Sequence, residues 1–240
     1  MRINRYIAQR TDISRRASDR VIEQGRVCIN GRRASVGQLV DPESDQVEMD
    51  GKCLIERPLV YLAMYKPVGM ITSMHDPQKR PCIKDIIPPE FSGVYPVGRL
   101  DYDASGLILL TNEGDLAHSI HHPSFNVPKV YLVGLEPAAR QGQLSAMANG
   151  IVLDGVRTRP AQVEYLRKIP KGSLVRIALR QGLKNQIKRM AAATGLRVKS
   201  IHRISVGPVM LGDMQPSEVR RLTDLEKKML FEIIHSYKPA

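Results

Sequence analysis

The chain has 240 residues, of which 42% are hydrophobic, so it can bury the core of one large domain or of two smaller ones. Its formal net charge of +12 indicates a polyanionic partner, and nucleic acid fits that charge better than a membrane surface does. No apolar run approaches ~18 residues, which argues against a membrane-spanning helix, and the polar N-terminus lacks the apolar region of a signal peptide.

The three cysteines, Cys28, Cys53 and Cys82, are far apart in the chain and form no CxxC pair. An odd number of widely spaced cysteines predicts neither a disulfide framework nor a zinc site, and it favours a reducing, cytoplasmic location. The sequence also lacks the GxGxxG and P-loop patterns that bind nucleotides, so we expect no cofactor. We expect a monomer that contacts neither a membrane nor a metal ion.

Residues 1–50 have a composition of their own, with nine arginines, no lysine and an acidic stretch at the end. Apolar residues at helical spacing predict two short helices, the second of which begins after the capping residue Ser14 and ends at Gly25. The pair Asn30-Gly31 between two alternating segments predicts a hairpin. The segment therefore reads as a small domain of its own.

Arginines from several elements of this small domain are candidates for RNA contacts, because guanidinium groups hold phosphate in a forked geometry. The alternative is a basic face that only contacts solvent. The candidates are Arg15, Arg16, Arg20, Arg26, Arg32 and Arg33. The runs Ser14-Arg15-Arg16-Ala17 and 25–31 closely resemble the alpha-L RNA-binding domain. That resemblance implies a structured RNA as the partner.

Residues 51–58 are predicted to be a linker, and residues 59–240 a larger domain. Apolar runs between turn signals predict strands at 59–65, 107–110, 127–134, 151–153, 158–166, 174–179 and 198–206. Helical spacing and capping residues predict helices at 116–119, 137–149, 186–194 and from 223 onwards. Many strands in hairpin order with few helices predict an α+β fold, built on a mixed, mainly antiparallel sheet with flanking helices.

A polar loop, Gly98 to Ser105, runs directly into the apolar segment 107–110. The apolar segment reads as a strand buried on both faces, and carboxylates at the mouth of such a strand can be held in a fixed direction. Asp101 and Asp103 are therefore candidate functional groups, with turn formation as the alternative. The adjacent His121 and His122 do not predict a metal site, because neighbouring residues rarely share one ion and no third ligand is evident.

Three stretches of the larger domain resemble one family. They are Tyr65-Lys66-Pro67-Val68-Gly69, the segment 98–114, and the segment 181–190 followed by Gly207-Pro208. The family is the ribosomal-RNA pseudouridine synthases of the small-subunit type, which commonly carry an alpha-L domain ahead of the catalytic one. The resemblance covers essentially the whole chain. Gly182-Leu183 and Gly114-Asp115-Leu116 look most like members that act on large-subunit ribosomal RNA, and one such member also modifies a tRNA anticodon loop.

The resemblance implies that the protein isomerises a uridine in place without consuming a cofactor. It implies that Asp101 is the catalytic aspartate and that Tyr131 stacks on a target base that has left its helical stack. Arg99 would fill the space left by that base or hold a phosphate, with a structural ion pair as the alternative. Lys184 and Arg189 are candidate RNA contacts, and Asp103 is expected to shape the loop.

The sequence departs from the family in the third motif, where Asn185 also stands at a position that is commonly arginine. The third motif usually contains two adjacent arginines, of which the first pairs with the catalytic aspartate, whereas this chain has Lys188 followed by Arg189. We expect Lys188 to have taken over the pairing with Asp101 and Arg189 to point elsewhere. A solvated lysine is the alternative. A binding-only assembly factor with a decayed catalytic domain is the rival function, but Asp101 and Tyr131 are both present.

Overall fold

The computed structural model of the protein describes residues 1–236, which divide into two compact units. The first unit comprises residues 1–60 together with 89–94 and 112–114, and the second comprises the other described residues. No helix among residues 1–236 is long and apolar enough to cross a membrane.

The first unit contains two helices and a small antiparallel sheet with the strand order β2-β1-β3-β4. Its elements are α1 (Ile3–Arg10), α2 (Arg15–Glu23), β1 (Val27–Ile29), β2 (Arg32–Arg33), β3 (Val47–Met49) and β4 (Lys52–Cys53). Ser14 caps α2 as predicted, since its side chain accepts a hydrogen bond from the backbone N–H of Ala17 at 3.2 Å. The apolar faces of both helices and of β1 and β3 form one core.

Strand β4 lies within residues 51–58, which the sequence predicted to be a linker. It pairs with β3 through the turn Asp50-Gly51, whose φ angles of 52° and 74° are those that Asp-Gly adopts readily in a two-residue hairpin. The small sheet therefore continues beyond residue 50. The predicted boundaries at residues 50 and 58 stay predictions.

The second unit contains eleven strands and four α-helices among its described residues, together with short 3-10 helices at Ile83–Ile86 and Pro123–Phe125. The strands are β5 (Tyr61–Lys66), β6 (Tyr95–Val97), β7 (Ala104–Thr111), β8 (Lys129–Glu136), β9 (Val152–Leu153), β10 (Val156–Arg157), β11 (Gln162–Ile169), β12 (Gly172–Leu179), β13 (Arg197–Val206), β14 (Val209–Met210) and β15 (Val219–Arg221). The helices are α3 (Gly114–His121), whose first residue is counted with the other unit, α4 (Gln141–Asn149), α5 (Gln186–Ala193) and α6 (Asp224–Ser236).

Nine of these strands form one sheet in the described part of the chain, with the main order β11-β12-β8-β13-β7-β5-β15. Strands β14 and β6 pair with β13 and β7, respectively. The pair of β13 with β7 is parallel and its neighbours are antiparallel. The predicted mixed, mainly antiparallel sheet with flanking helices is thus confirmed.

The strand predicted at 158–166 is present only from Gln162 onwards. The chain instead forms β10, ending at Arg157, and resumes as β11 at Gln162. Pro160 lies in the gap and has no N–H to donate to a sheet, so pairing stops there. Thr158 is buried in the gap and its hydroxyl accepts a hydrogen bond from the backbone N–H of Ile151 at 3.0 Å.

Strand β7 is the centre of the unit, and the loop that carries Asp101 and Asp103 leads into its start. Its residues Leu107, Ile108, Leu109 and Leu110 are all at most 3% exposed, which confirms the strand buried on both faces. β7 lies between β13 and β5 in the sheet, so its position is fixed on both edges. A side chain placed just before β7 is therefore attached to one of the most constrained parts of the fold.

Candidate active site

A cavity of about 600 Å³ lies in the second unit. Its walls come from four places, namely the loop before β7, the end of α3 with the start of β8, the segment from the end of β12 into α5, and β13. Of the residues that the sequence singled out, it is lined by Arg99, Asp101, His121, Tyr131 and Lys184. A volume of this size is in the range of sites that enclose a small organic group.

The backbone on both sides of Asp101 is held by hydrogen bonds. Thr72 and Leu100 are joined twice, since the Thr72 hydroxyl donates to the Leu100 carbonyl at 2.8 Å and accepts from the Leu100 N–H at 3.2 Å. On the other side, the N–H of Ala104 donates to the carbonyl of Asp101 at 3.1 Å. The Asp101 side chain itself remains 43% exposed. The carboxylate is thus accessible on a rigid loop at the wall of the cavity.

Lys188 lies between two carboxylates. Its ammonium group donates hydrogen bonds to both carboxylate oxygens of Asp103, at 2.6 and 2.8 Å, and stands 3.6 Å from the nearest oxygen of Asp101. The pKa of Asp103 is lowered, chiefly because of the hydrogen bond from Lys188. Asp103, which was expected to shape the loop, is thus the closer partner of Lys188. The loop turns both carboxylates towards the start of α5.

Arg189, the next residue of α5, forms an ion pair of 2.7 Å with Asp154 in the turn between β9 and β10. Adjacent residues on a helix point in directions about 100° apart, so the two cations serve different carboxylates. The structure thus brings Lys188 close to Asp101 and directs Arg189 elsewhere. The roles of both residues in the reaction and in RNA binding stay predictions.

Tyr131 projects from β8 into the cavity and is half-buried. The Arg203 guanidinium carbon lies 6.0 Å from the centre of the tyrosine ring, and the two residues are directly paired across β8 and β13. The ring is held between its neighbouring strand and the open space of the cavity. An aromatic face so placed is suited to stacking on a planar ring.

Arg203 is a site residue that sequence reasoning missed. It lines the cavity yet is only 4% exposed, and its Nε donates to the Leu107 carbonyl at 2.6 Å. Its Nη2 is buried without a hydrogen-bond partner in the described residues. A signal did exist in Gly106, where a Cβ atom would lie 2.2 Å from the Arg203 carbonyl oxygen. A glycine inside an apolar strand indicates such a close approach of another backbone.

Two lysines near the cavity were given no role from the sequence, since Lys129 lay within a predicted strand and Lys66 directly after one. Lys129 lines the cavity, donates to the Ile120 carbonyl at 2.7 Å, and has its pKa lowered to about 8 by burial and then by the nearby Arg203. Lys66 is fully buried and donates to the carbonyls of Pro67 and Ala104 at 2.9 and 2.7 Å. Burial lowers its pKa to about 8, although the negative charges of Asp101 and Asp103 act in the opposite direction.

The histidines at the cavity do not form a metal centre. His121 lines the cavity, and its pKa is lowered by burial and then by Lys129 and the neighbouring histidines. His122 uses its Nδ1 locally, with Ser124. No group of three or more His, Cys, Asp or Glu side chains within residues 1–236 is arranged to hold a metal ion.

The six candidate arginines of the first unit are all exposed. Two of them have defined partners, since Arg26 forms an ion pair of 2.6 Å with Asp50 and Arg33 donates to the carbonyl of Glu23 at 3.1 Å. Arg15, Arg16 and Arg20 are exposed on α2, and Arg32 is exposed on β2. These four arginines are available for an external anion.

Comparison with known proteins relates both units to RNA-modifying enzymes. Residues 60–193 match the family described as RNA pseudouridylate synthase, and residues 1–47 match the S4 domain. An RNA pseudouridine synthase of Aquifex aeolicus, named as uncharacterized, is 37% identical over 236 residues, which are 98% of this chain and 95% of that protein.

Two further relatives cover nearly the whole chain. The dual-specificity RNA pseudouridine synthase RluF of Escherichia coli K12 is 37% identical over 239 residues, which are 98% of this chain and 80% of RluF. A solved structure described as the crystal structure of pseudouridylate synthase superposes with a TM-score of 0.71 and 31% identity, and the superposition covers 96% of this chain and 99% of that one.

Proposed function

The chain therefore belongs to the RNA pseudouridine synthases, and we propose that it converts specific uridines of ribosomal RNA into pseudouridine with Asp101 as the catalytic group. The observation that carries the proposal is the position of Asp101, an accessible carboxylate on a rigid loop at the wall of a 600 Å³ cavity. Lys188 places a positive charge 3.6 Å from a carboxylate oxygen of Asp101.

The proposed reaction is an isomerisation. The bond between N1 of the uracil and C1′ of the ribose breaks, the base turns within the cavity, and a bond forms between C5 and C1′. The hydrogen on C5 leaves as a proton while N1 gains one, so that substrate and product have the same composition. A carboxylate nucleophile can divide such a reaction into two easier steps, whether it attaches first to the sugar or to the base.

The target uridine has to leave its stack to reach Asp101. Unstacking a base costs a few kcal/mol, which contacts within the cavity and to the phosphates must offset. Tyr131 offers an aromatic face for stacking and a hydroxyl for proton transfer. Arg99 and Lys184 also line the cavity, and we assign them to the RNA backbone or to the space that the flipped base leaves.

In this proposal, each of the two units contacts the RNA. The exposed arginines Arg15, Arg16 and Arg20 of the S4 domain would contact phosphates, and the second unit would hold the target nucleotide. We propose that the protein acts as a monomer in the cytoplasm. The location rests on the three free cysteines, Cys28, Cys53 and Cys82.

Large-subunit ribosomal RNA is the substrate that we favour, because Gly182-Leu183 and Gly114-Asp115-Leu116 resemble members that act on it. The relative RluF is named a dual-specificity enzyme, so a second RNA, such as small-subunit RNA or a tRNA anticodon loop, belongs in the test. The alternative is a ribosome assembly factor that binds RNA without catalysis. An accessible Asp101 beside Tyr131 in one cavity favours the enzyme.

The experiment is chemical mapping of pseudouridines in ribosomal RNA and tRNA from cells with and without the gene. We expect at least one site to disappear without the gene, and purified protein to restore it on the unmodified RNA. An unchanged map, together with purified protein that binds the RNA but modifies none of it, would establish the assembly factor instead.

A further inference from the structure

The sheet of the second unit carries a cluster of cations at the end that faces away from the cavity. Strand β8 begins at the cavity with Lys129 and Tyr131 and ends at Glu136. At roughly 3.3 Å per residue, Glu136 lies about 17 Å along the strand from Tyr131. β13 runs the opposite way, so its first residue, Arg197, pairs with Glu136 at the same distal end.

Three of the distal cations surround one carboxylate. Arg197 forms an ion pair of 2.7 Å with Glu136, and the pKa of Glu136 lies below its usual value, chiefly through that hydrogen bond. The charges of Lys199 and Lys171 lower it further. Lys171 occupies the turn between β11 and β12, where its φ is 60°.

The strand pairing places a fourth cation on the same face of the sheet. Arg167 pairs with Leu174, and Leu174 pairs with Gly134, two residues before Glu136 on β8. Residues directly opposite each other, and residues two apart on one strand, share a face. Lys199 lies in the β-bulge of β13, and its Cβ is 3.6 Å from the position that a Cβ of Gly134 would occupy.

We define the distal basic surface as Arg167, Lys171, Arg197 and Lys199, all of which are exposed. Arg167, Lys171 and Lys199 make no hydrogen bond or ion pair of their own within residues 1–236, and Glu136 balances only part of the charge. We propose that the distal basic surface is a second contact site for the RNA backbone, which holds a segment of the substrate remote from the target uridine.

The inference rests on the proposed function for its choice of partner. Cations on long stems fit phosphates, which lie at regular spacing along an RNA and carry no sequence information. The surface stands about 17 Å along β8 from Tyr131, and the alternation of side chains along a strand places Glu136 on the opposite face of the sheet. A large structured RNA that passes the edge of the sheet can reach both sites at once, whereas a short oligonucleotide cannot. The competing interpretations are a basic face that only contacts solvent and a docking site for an acidic protein.

The test compares two variants that lose the same charge. Lys171→Gln/Lys199→Gln alters the distal basic surface, and Lys84→Gln/Lys228→Gln removes two exposed lysines elsewhere in the second unit. The affinity of each for a transcript of large-subunit ribosomal RNA is measured against salt concentration. We expect the distal variant to reduce the slope of log affinity against log salt by roughly 1.4 to 1.8, at about 0.7 to 0.9 per lost phosphate contact. We expect the control variant to leave the slope close to that of the wild type.

Two further measurements sharpen the test. The difference between wild type and the distal variant should vanish on RNA fragments too short to span both sites, and Lys171→Arg/Lys199→Arg should bind like the wild type. Equal slopes for the distal and control variants would overturn the inference and leave solvent or a protein partner at this surface. Since binding is measured without turnover, a loss of pseudouridine formation in every RNA would reject the proposed function without affecting this result.

Discussion

The ammonium group of Lys188 is hydrogen-bonded to both carboxylate oxygens of Asp103, at 2.6 and 2.8 Å. This pairing fixes the lysine on the loop that carries the candidate catalytic group, with Asp101 at 3.6 Å. One cation therefore serves two carboxylates. Asp103 determines where the charge of Lys188 stands relative to Asp101, which makes it a positioning residue in the proposed site.

Replacing Lys188 tests whether its charge supports the reaction. We expect Lys188→Met to lower the single-turnover rate by about 100-fold, or ~2.7 kcal/mol, because Asp101 loses the cation beside it. Lys188→Arg should retain most of the activity, since it keeps the charge. Arg189→Met is the matched control, because Arg189 pairs with Asp154 and not with Asp101. If Arg189→Met abolishes turnover while Lys188→Met does not, the two roles are exchanged.

Substitution of Asp101 and substitution of Asp103 should have different effects on the reaction. Asp101→Asn should abolish release of the C5 hydrogen from uracil while RNA affinity and thermal stability stay near the wild-type values, because a neutral amide cannot act as the nucleophile. Asp103→Asn should lower the rate by about tenfold, since it frees Lys188 without removing the reactive carboxylate. Turnover of Asp101→Asn within tenfold of the wild type would remove Asp101 from its proposed role.

Gly106 is expected to be essential for stability because of the close approach of Arg203. A Cβ at Gly106 would lie 2.2 Å from the Arg203 carbonyl oxygen, whereas one at Gly155 would meet no atom within 4 Å. Both glycines have positive φ, 109° and 77°, so alanine costs conformational energy at each. We expect Gly106→Ala to lower the free energy of unfolding by about 2 kcal/mol more than Gly155→Ala does, owing to overpacking. Denaturant unfolding of both variants measures the difference, and equal losses would contradict the steric argument.

Local signals in the sequence were sufficient for the central elements of the fold. The apolar run 107–110 predicted a buried strand, and Ser14 predicted the start of α2, because burial and capping each depend on a few adjacent residues. The strand expected at 158–166 begins only at Gln162, because Pro160 prevents pairing there while the flanking residues still look strand-like.

The sequence predicted those residues of the candidate site that belong to a family motif. It did not predict those whose surroundings depend on contacts between distant parts of the chain. The resemblance pointed to Asp101 and Tyr131, which both line the cavity. Arg203 and Lys66 acquire their surroundings from partners 96 and 38 residues away in the chain, so neither composition nor spacing revealed them. The pairing of Asp103 with Lys188 was not predicted for the same reason, since the two residues are 85 positions apart in the chain.

The arginines of α2 should supply affinity without taking part in catalysis. We expect Arg15→Gln/Arg16→Gln/Arg20→Gln to weaken RNA binding and to reduce the salt slope by roughly 2 to 3, at about 0.7 to 0.9 for each lost phosphate contact. The rate at saturating RNA should be unchanged. Arg26→Gln is a useful comparison, because Arg26 is already paired with Asp50 at 2.6 Å and should contribute less. An unchanged salt slope in the triple variant would mean that this helix does not contact RNA.

The buried lysines predict how stability depends on pH. Lys66 and Lys129 each have a folded-state pKa of about 8, below the ordinary value of 10.5. Below pH 8 both lysines are protonated in the folded and unfolded states, so the cost of burying their charge is fully present. Between about pH 8 and 10.5 the unfolded chain binds more protons than the folded one, so the free energy of unfolding should rise with pH through that window. The rise is at most about 1.4 kcal/mol per pH unit for each lysine, and partial exposure of Lys129 reduces its share.

Single substitutions separate the two contributions. Lys66→Met and Lys129→Met should each flatten the dependence of the unfolding free energy on pH between 8 and 10.5, whereas Lys84→Met, at an exposed position, should leave it as in the wild type. Urea denaturation at a series of pH values gives these slopes directly. Lys66→Met should lose stability at every pH, because the carbonyls of Pro67 and Ala104 lose the hydrogen bonds that Lys66 donates. Comparing slopes separates this constant loss from the dependence on pH. If both variants keep the wild-type slope, the two lysines are already solvated in the folded protein. Burial would then not lower the pKa of Lys66, the lysine next to Asp101 and Asp103.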